Sequence, residues 1–512
     1  MQHQGPLSSN RFIQVTTSVT SILLLYNIIL LLFIFDNHLI SPDINRGPMY
    51  EEVYRLLKGQ PIYSAPTINY VSLAYNPFFI LISAFLAKLL GLSVSGVRLT
   101  AILGTLGAGI IIYLALFKET QNKWYGFAGA GIFAGAYFVL DAYYDFANAD
   151  TWMLFCALLG FFLLNDVASP NKTFWGILFL CLSFWFKQQG LILLIAGLIF
   201  ITVKLGVKRS IPYWVLAGLI VPVSYIYLGP KIFGNYFSYF TYQVPSKWTE
   251  FTIDALLRFA KHFIRHWPFL FVFAVYLFTY RLQKRRLDTV WLFCLPFALA
   301  VGFLGVLDPG SENNVFLVSD TWLIITGMLG MSEYLKMMPE EYLGGKHVPL
   351  INRMLNGRNE IIIFAILLSA VINIFPPQKA IVPHGAWGDY YDLLNRVCNL
   401  KGQVYMPEIG QLPSGCRLEW TAHWVPMEDM VRNPNGYTSK NPLIANILVE
   451  AKNPTSKTYI ITNWPLADDP LIGFLSEDYV LVQDLGDRYA SLRGMPGRFG
   501  GHTWPRYIYA SK

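Results

Sequence analysis

Residues 96–116 read GVRLTAILGTLGAGIIIYLAL: one charged side chain, Arg98, stands near the head, and the next eighteen residues carry none. At 1.5 Å per residue such a run rises about 30 Å as a helix, the depth of a bilayer's hydrocarbon core. Lipid offers no partner to backbone N–H and C=O groups, so the run must satisfy them internally, as a helix. Further apolar runs occupy 13–35, 124–143, 151–165, 173–187, 189–204, 212–229, 267–282, 289–307, 314–334 and 360–375. The pattern predicts an α-helical polytopic membrane protein with about eleven transmembrane helices.

Composition agrees. Of 512 residues, 54% are hydrophobic and 14% charged, against about 25% charged in an average soluble domain. An ordinary cytosolic enzyme is excluded. The net charge of +7 does not point to nucleic acid, because many cations sit in short loops between apolar runs. Lys118 and Lys123, Lys172, the set Lys204, Lys208 and Arg209, and the run Lys284, Arg285 and Arg286 fall in alternate loops. The positive-inside rule makes those loops cytoplasmic, with the N-terminus inside.

The segment 76–90 is apolar but short for a crossing. Counting it would move every later Lys/Arg cluster outside, so it is expected as a juxtamembrane helix in a first external loop, 36–95. In that loop 49–58 has Val53, Leu56 and Leu57 opposite Glu51, Glu52, Arg55 and Lys58, the pattern of a helix lying flat on the membrane. A second such helix is expected at 251–266. Residues 376–512 turn rich in Pro, Gly, Asn and Asp, with short strand-like runs around a helical stretch. They are expected to form a small extracytoplasmic α/β domain. Cys398 and Cys416 lie in it and can pair if it faces an oxidising compartment, whereas Cys156, Cys181 and Cys294 fall within spans as packing residues.

No phosphate loop, dinucleotide fingerprint, zinc-ligand pattern or nucleophile elbow stands where its structural context would support it. Polar groups gather instead on the expected external face. They are Asp36, His38, Asp43 and Arg46; Asp145, Asn148 and Asp150; Lys187, Gln188 and Gln189; and Asp308, Glu312, Asn313 and Asn314. Singly, such residues cap helices or sit in interfaces. Together at one membrane surface they suit an anionic lipid headgroup and a reaction that needs a base.

Several segments carry a resemblance. DINRGPMYEEVYRLLKGQPIY (43–63) resembles a short acidic motif followed by an amphipathic helix, Gly and Tyr. YVSLAYNPFFIL (70–81) resembles a Tyr-Pro-Pro-Leu helix start, and GVRLTAIL supplies an arginine at the head of the next span. DFANAD (145–150) resembles an acidic second external motif, FWFKQQG (184–190) resembles Phe-Thr-Lys-Gln, and GSENNVF (310–316) resembles a late Gly-to-Asn turn. In order and topological side the chain is similar to the polytopic GT-C glycosyltransferases that use polyprenyl-phosphate-linked sugars, especially bacterial members near the protein mannosyltransferase and aminoarabinose transferase group. Two positions depart: Arg46 stands where many relatives have the glutamate of Gly-Glu-Gly-Pro, and Asn148 where close relatives have the arginine of Arg-Val-Asp.

The resemblance implies a GT-C-like catalytic module over 1–375 in the cell's inner membrane and an inverting sugar transfer to a glycan, lipid or protein acceptor. It implies a general base in the first loop in place of the missing glutamate, Asp43 by preference with Glu51 and Glu52 behind it, and Asp150 to orient the acceptor or the base or to bind a metal. Arg98, Lys187 and Arg46 would hold the donor phosphate. Gln188, Asp145, Tyr75, Asn314 and Glu51 would contact substrate. A divalent cation, Mg or Mn, is required by some relatives and is left open here. The rival readings are a transporter or lipid flippase without covalent chemistry, or a membrane scaffold whose C-terminal domain binds partners. No internal repeat of the kind common in transporters is visible.

Overall fold

The computed structural model describes residues 47–337, apart from 93, 138, 142 and 285–288, and residues 384–512, apart from 411, 417, 433–441 and 494–504, together with Ile22 and Tyr26. The rest of the expected span at 13–35, the whole of that at 360–375, and Asp43 and Arg46 lie outside the described residues.

The helices follow the apolar runs. After α1 (Gly47–Leu57) and α2 (Phe78–Leu90) come α3 (Val94–Thr120), α4 (Lys123–Gly135), α5 (Asp150–Leu164), α6 (Pro170–Phe186) and α7 (Gly190–Leu205). The caps are local: Asn122 accepts a hydrogen bond from Trp124 N, and Ser169 from Lys172 N with Pro170 in the first turn, each satisfying a donor that a helix start leaves open. Helix α8 (Val207–Phe233) is one rod whose middle, Leu219–Leu228, widens to π geometry around Pro222, a residue with no N–H for the regular ladder. Helix α9 (Ile253–His266) turns through 103° at Trp267 into α10 (Pro268–Gln283), and α11 (Val290–Val306) and α12 (Leu317–Met337) complete the bundle.

Among the described residues three helical stretches, Gly96–Thr120, Val207–Phe233 and Asn313–Tyr334, are long and apolar enough to cross a bilayer; the bent α9–α10 pair would make a fourth. Helices α2, α5, α7 and α11 are apolar but shorter. The bundle is graded by depth. The apolar window of α12's stretch is 100% buried and that of α8 only 11%, so α12 is the central post and α8 a peripheral one. Gly327 and Gly330 let the backbone of α12 lie directly on Leu270 and Phe273 of α10, where a Cβ would collide with main-chain atoms, and such small residues set close helix packing in membranes. Trp267, Trp291 and Trp322 fill the interior beside them.

Two expectations need correction. The span expected at 124–143 stops as a helix at Gly135, and the chain from 136 to 149 folds into turns, with Asp141 at φ 51°. The other concerns α1. Its acidic side was expected to face solvent, yet Glu51 and Glu52 are both buried, Glu51 against His423 of the C-terminal region and Glu52 against Leu73 and Tyr70 of the first loop. By contrast α9 keeps Ile253, Leu256, Leu257 and Ile264 exposed and lies across the direction of α10, as the expected in-plane helix should.

The C-terminal region carries a four-stranded mixed sheet in the order β1 (Gln403–Tyr405), β2 (Thr458–Thr462), β4 (Tyr507–Ser511), β3 (Tyr479–Asp484). Strand β1 is parallel to β2, and β4 is antiparallel to both of its neighbours. Helix α13 (Ala386–Cys398) buries Leu393 and Val397 in a cluster with Val404, Ile461 and Ile508 of the sheet. Cys398 and Cys416 are joined in a disulfide with Cα atoms 5.1 Å apart. This region docks on the first loop. Ala422 N donates to Ile68 O at 2.7 Å, Asn69 Nδ2 to Glu419 Oε2 at 2.7 Å, and Trp420 stacks on Tyr50 and Tyr54.

Candidate active site

Two helix ends set opposite charges against each other. Asp150 opens α5 and Lys187 follows the last residue of α6, the positions where the helix dipole favours an anion and a cation respectively. Lys187 Nζ lies 2.7 Å from Asp150 Oδ1, with side chains 10% and 2% exposed. Asn314, in the turn before α12, donates from Nδ2 to the same oxygen at 3.4 Å. Asp150 Oδ2 is buried with no hydrogen-bond partner among the described residues, a costly state for a carboxylate oxygen and one often associated with function. The Lys187 ammonium also stands 5.5 Å from the centre of the Tyr75 ring.

This group opens on a cavity of about 530 Å³, within the range of small-molecule sites. One end is lined by Tyr75, Lys187, Gln188 and Asn314 from the membrane module. The other is closed by α14 (Trp424–Val431) of the C-terminal region and by Trp248. Arg432, just past α14, reaches Glu428 at 3.1 Å, Asp308 at 3.3 Å and Asp429 at 3.5 Å. Trp248 Nε1 donates to Asp429 O at 2.9 Å. Tyr143, another lining residue, donates from its hydroxyl to Glu312 Oε2 at 2.7 Å.

Burial governs the acids and bases here. It pushes the Asp429 carboxyl up to about 7, against the pull of Arg432, and raises the Tyr75 hydroxyl, which also feels the charges of Asp429 and Asp150. Tyr75 thus links the two ends electrostatically. Gln188 lines the cavity but spends its Nε2 on Ala74 O and Thr241 O at 3.1 and 2.9 Å, fixing the backbone next to Tyr75.

The structure brings Asp150, Lys187, Gln188, Tyr75 and Asn314 together. It does not bring Arg98, Asp145 or Glu51 to the cavity. Arg98 and Asp145 are fully buried and form an ion pair with each other, with Tyr137 donating to Asp145 Oδ1 at 2.8 Å. Unpaired, either charge would be very costly in this interior, so the pair fastens the 136–149 turns to the head of α3. Glu51 faces His423 of the C-terminal region, Oε2 to Nε2 3.3 Å. The contact reads as an ion pair, yet burial alone pushes His423 down to about 3 and Glu51 well above the usual carboxylate range. Two fully desolvated groups without further hydrogen bonds are neutral neighbours, not ions. Glu52 accepts from Leu73 N at 2.7 Å and is raised by burial to about 8.

Sequence reasoning missed Trp248, Trp424, Glu428, Asp429 and Arg432. A signal was present for the last four: Trp424, Glu428 and Arg432 recur every four residues, with Asp429 three before Arg432, the spacing that brings side chains to one side of a helix.

No protein-family model matches the chain, and no curated protein matches its sequence. Solved structures do match. ArnT from Cupriavidus metallidurans bound to undecaprenyl phosphate aligns at TM-score 0.54 with 13% identity, over 96% of this chain and 98% of that one. The apo state of the same protein aligns at 0.53, with the same identity and coverage. The archaeal oligosaccharyltransferase AglB from Archaeoglobus fulgidus, in complex with an inhibitory peptide and a dolichol-phosphate, aligns at 0.49 with 11% identity over 87% of this chain and 69% of that one, a likeness that carries no weight by itself. Over nearly its whole length the chain has the fold of the GT-C membrane glycosyltransferases.

Proposed function

We propose that this protein is an integral-membrane glycosyltransferase that moves a sugar from a polyprenyl-phosphate-linked donor to an acceptor hydroxyl or similar group, with inversion. The observation that carries the reading is Lys187, held by the buried Asp150 behind it and lining a substrate-sized cavity, in a fold shared with ArnT, which has been crystallised with undecaprenyl phosphate.

The acceptor oxygen attacks the anomeric carbon, the bond from that carbon to the phosphate oxygen breaks, and the lipid phosphate leaves with the electron pair. The acceptor's proton passes to a carboxylate, assigned to Asp43, which precedes α1 by a few residues; general-base help of this kind is worth about 10²–10⁴ in rate. Lys187 stabilises the charge growing on the leaving phosphate, with Arg46 as a second cation. Asp150 holds Lys187 in place through Oδ1 and so aims the cation at the cavity.

The site and the C-terminal region are placed on the extracytoplasmic face of the inner membrane. The Lys/Arg distribution of the loops supports this, as does the Cys398–Cys416 disulfide, since such bonds persist in oxidising compartments. Mass spectrometry of envelope glycans with and without the gene tests the reading: one glycan should lose one sugar. An unchanged glycan profile, together with no turnover of any polyprenyl-phosphate sugar by the purified protein, would refute it.

A further inference from the structure

We infer that the end of the cavity formed by Trp248 and α14 is an acceptor subsite for an uncharged, polyhydroxylated sugar unit. The inference rests on the glycosyltransferase reading and deepens it, naming the acceptor's chemistry.

Charge sets the first limit. Four acids line the cavity, Asp308, Glu312, Glu428 and Asp429, the last only partly charged near neutral pH because burial pushes it up to about 7, against two cations, Lys187 and Arg432. Both cations are already engaged: Lys187 with Asp150, and Arg432 with three of the four acids. An anionic acceptor entering here meets an excess of like charge and no idle cation at this end. An ammonium group would have to compete with Arg432 for Asp308, Glu428 and Asp429, and with the Tyr143 hydroxyl for Glu312.

Hydrogen bonding and shape set the second. Carboxylate oxygens accept, and a sugar hydroxyl donates, so several acids around one guanidinium offer charge-assisted bonds to neutral hydroxyls. Trp248 has spent its N–H on Asp429 O; its half-buried ring lines the cavity with the Arg432 guanidinium 5.7 Å from the ring centre on one side, so the opposite face is the one a sugar would cover. Trp424 lines the same wall. Aromatic faces cover the C–H face of a pyranose while polar groups around them take its hydroxyls. Few other ligand classes need both flat apolar cover and a ring of acceptors. Tyr75, between the two ends, would place such a sugar's free hydroxyl next to Lys187 and Asp150.

The test is saturation-transfer NMR on the full-length protein in lipid nanodiscs. The probes are neutral methyl glycosides of glucose, galactose and mannose, the matching methyl uronides, the matching amino sugars and the sugar 6-phosphates. At least one neutral glycoside should bind, with transfer strongest to the C–H protons of one ring face. Its uronide and phosphate should bind at least about tenfold more weakly, as like-charge contact demands. Trp248→Ala should abolish the signal and Trp248→Phe, which keeps a ring, should retain most of it. The pair Asp308→Asn with Glu428→Gln should narrow the gap between glycoside and uronide. Tighter binding of uronide, phosphate or amino sugar than of every neutral glycoside, or an unchanged signal in Trp248→Ala, overturns the inference. A polyprenyl phosphate titrated into the same sample separates the two claims. If it binds and the glycosides do not, the subsite alone is wrong. If the glycosides bind with the expected selectivity and it does not, the subsite stands and the donor reading fails.

Discussion

Replacing Lys187 by methionine removes the cation 2.7 Å from Asp150 Oδ1 and leaves the carboxylate with Asn314 at 3.4 Å as its remaining side-chain contact among the described residues. Breaking a buried pair from one side costs about 3–5 kcal/mol, chiefly because a charge is stranded. The small exposure of the two side chains, 10% and 2%, leaves little room for water to offset this. Asp150→Asn strands the ammonium instead and should cost a comparable amount. The double variant Lys187→Met/Asp150→Asn strands neither charge, so its stability should return to within about 1–2 kcal/mol of wild type. Function should not return with it, because the double variant still lacks the cation that meets the donor phosphate. Unfolding in mixed micelles gives the stability cycle, and native mass spectrometry with a polyprenyl phosphate gives donor affinity. A double variant that recovers both stability and wild-type donor affinity would show Lys187 to be a structural partner of Asp150 and nothing more.

Asp43→Asn should abolish sugar transfer and leave the yield of folded protein unchanged; wild-type rates in this variant with loss in Glu52→Gln would move the base into α1. Because burial lowers His423 from 6.5 to about 3, its contribution to docking is present above pH 6.5 and lost as pH falls, by about 2 kcal/mol between pH 7 and 5. Once exchange is corrected for its intrinsic pH dependence, His423→Gln should therefore gain more protection of α1 than wild type does on going from pH 7 to pH 5. Glu52, raised to about 8 by burial, works in the opposite sense, with its contribution lost as pH rises from about 4.5 to 8; Glu52→Gln should slow α1 exchange at pH 8 relative to wild type. Replacing both Cys398 and Cys416 by alanine should cost the C-terminal region about 3 kcal/mol, as expected for a short closed loop, and thiol labelling of intact cells should find neither cysteine reactive in the wild type.

How much of this was legible in the sequence depends on the range of each signal. Apolar runs and flanking charges are local, so the helices of the bundle, the amphipathic helix α9, and Asp150 and Lys187 at helix ends could all be read from spacing. The pairing of Cys398 with Cys416 was open from the sequence, since nothing there fixes a distance, and the structure joins them. Three things could be decided only in three dimensions. Arg98 and Asp145 resemble site residues in one dimension, but folding buries each beside the other, because two opposite charges in an apolar interior are far less costly paired than apart. Helix α1 has the pattern of a surface helix, yet Glu51 is covered because Trp420 and His423, more than 350 positions later, pack onto it. The contact between Arg432 and Asp308 spans 124 positions, and no periodicity records it. Sequence alone determined that the chain is a membrane protein with a polar site at its helix ends, because lipid imposes its rule on each segment separately. The far wall of that site was decided by tertiary structure, because docking brings together residues that no local rule connects.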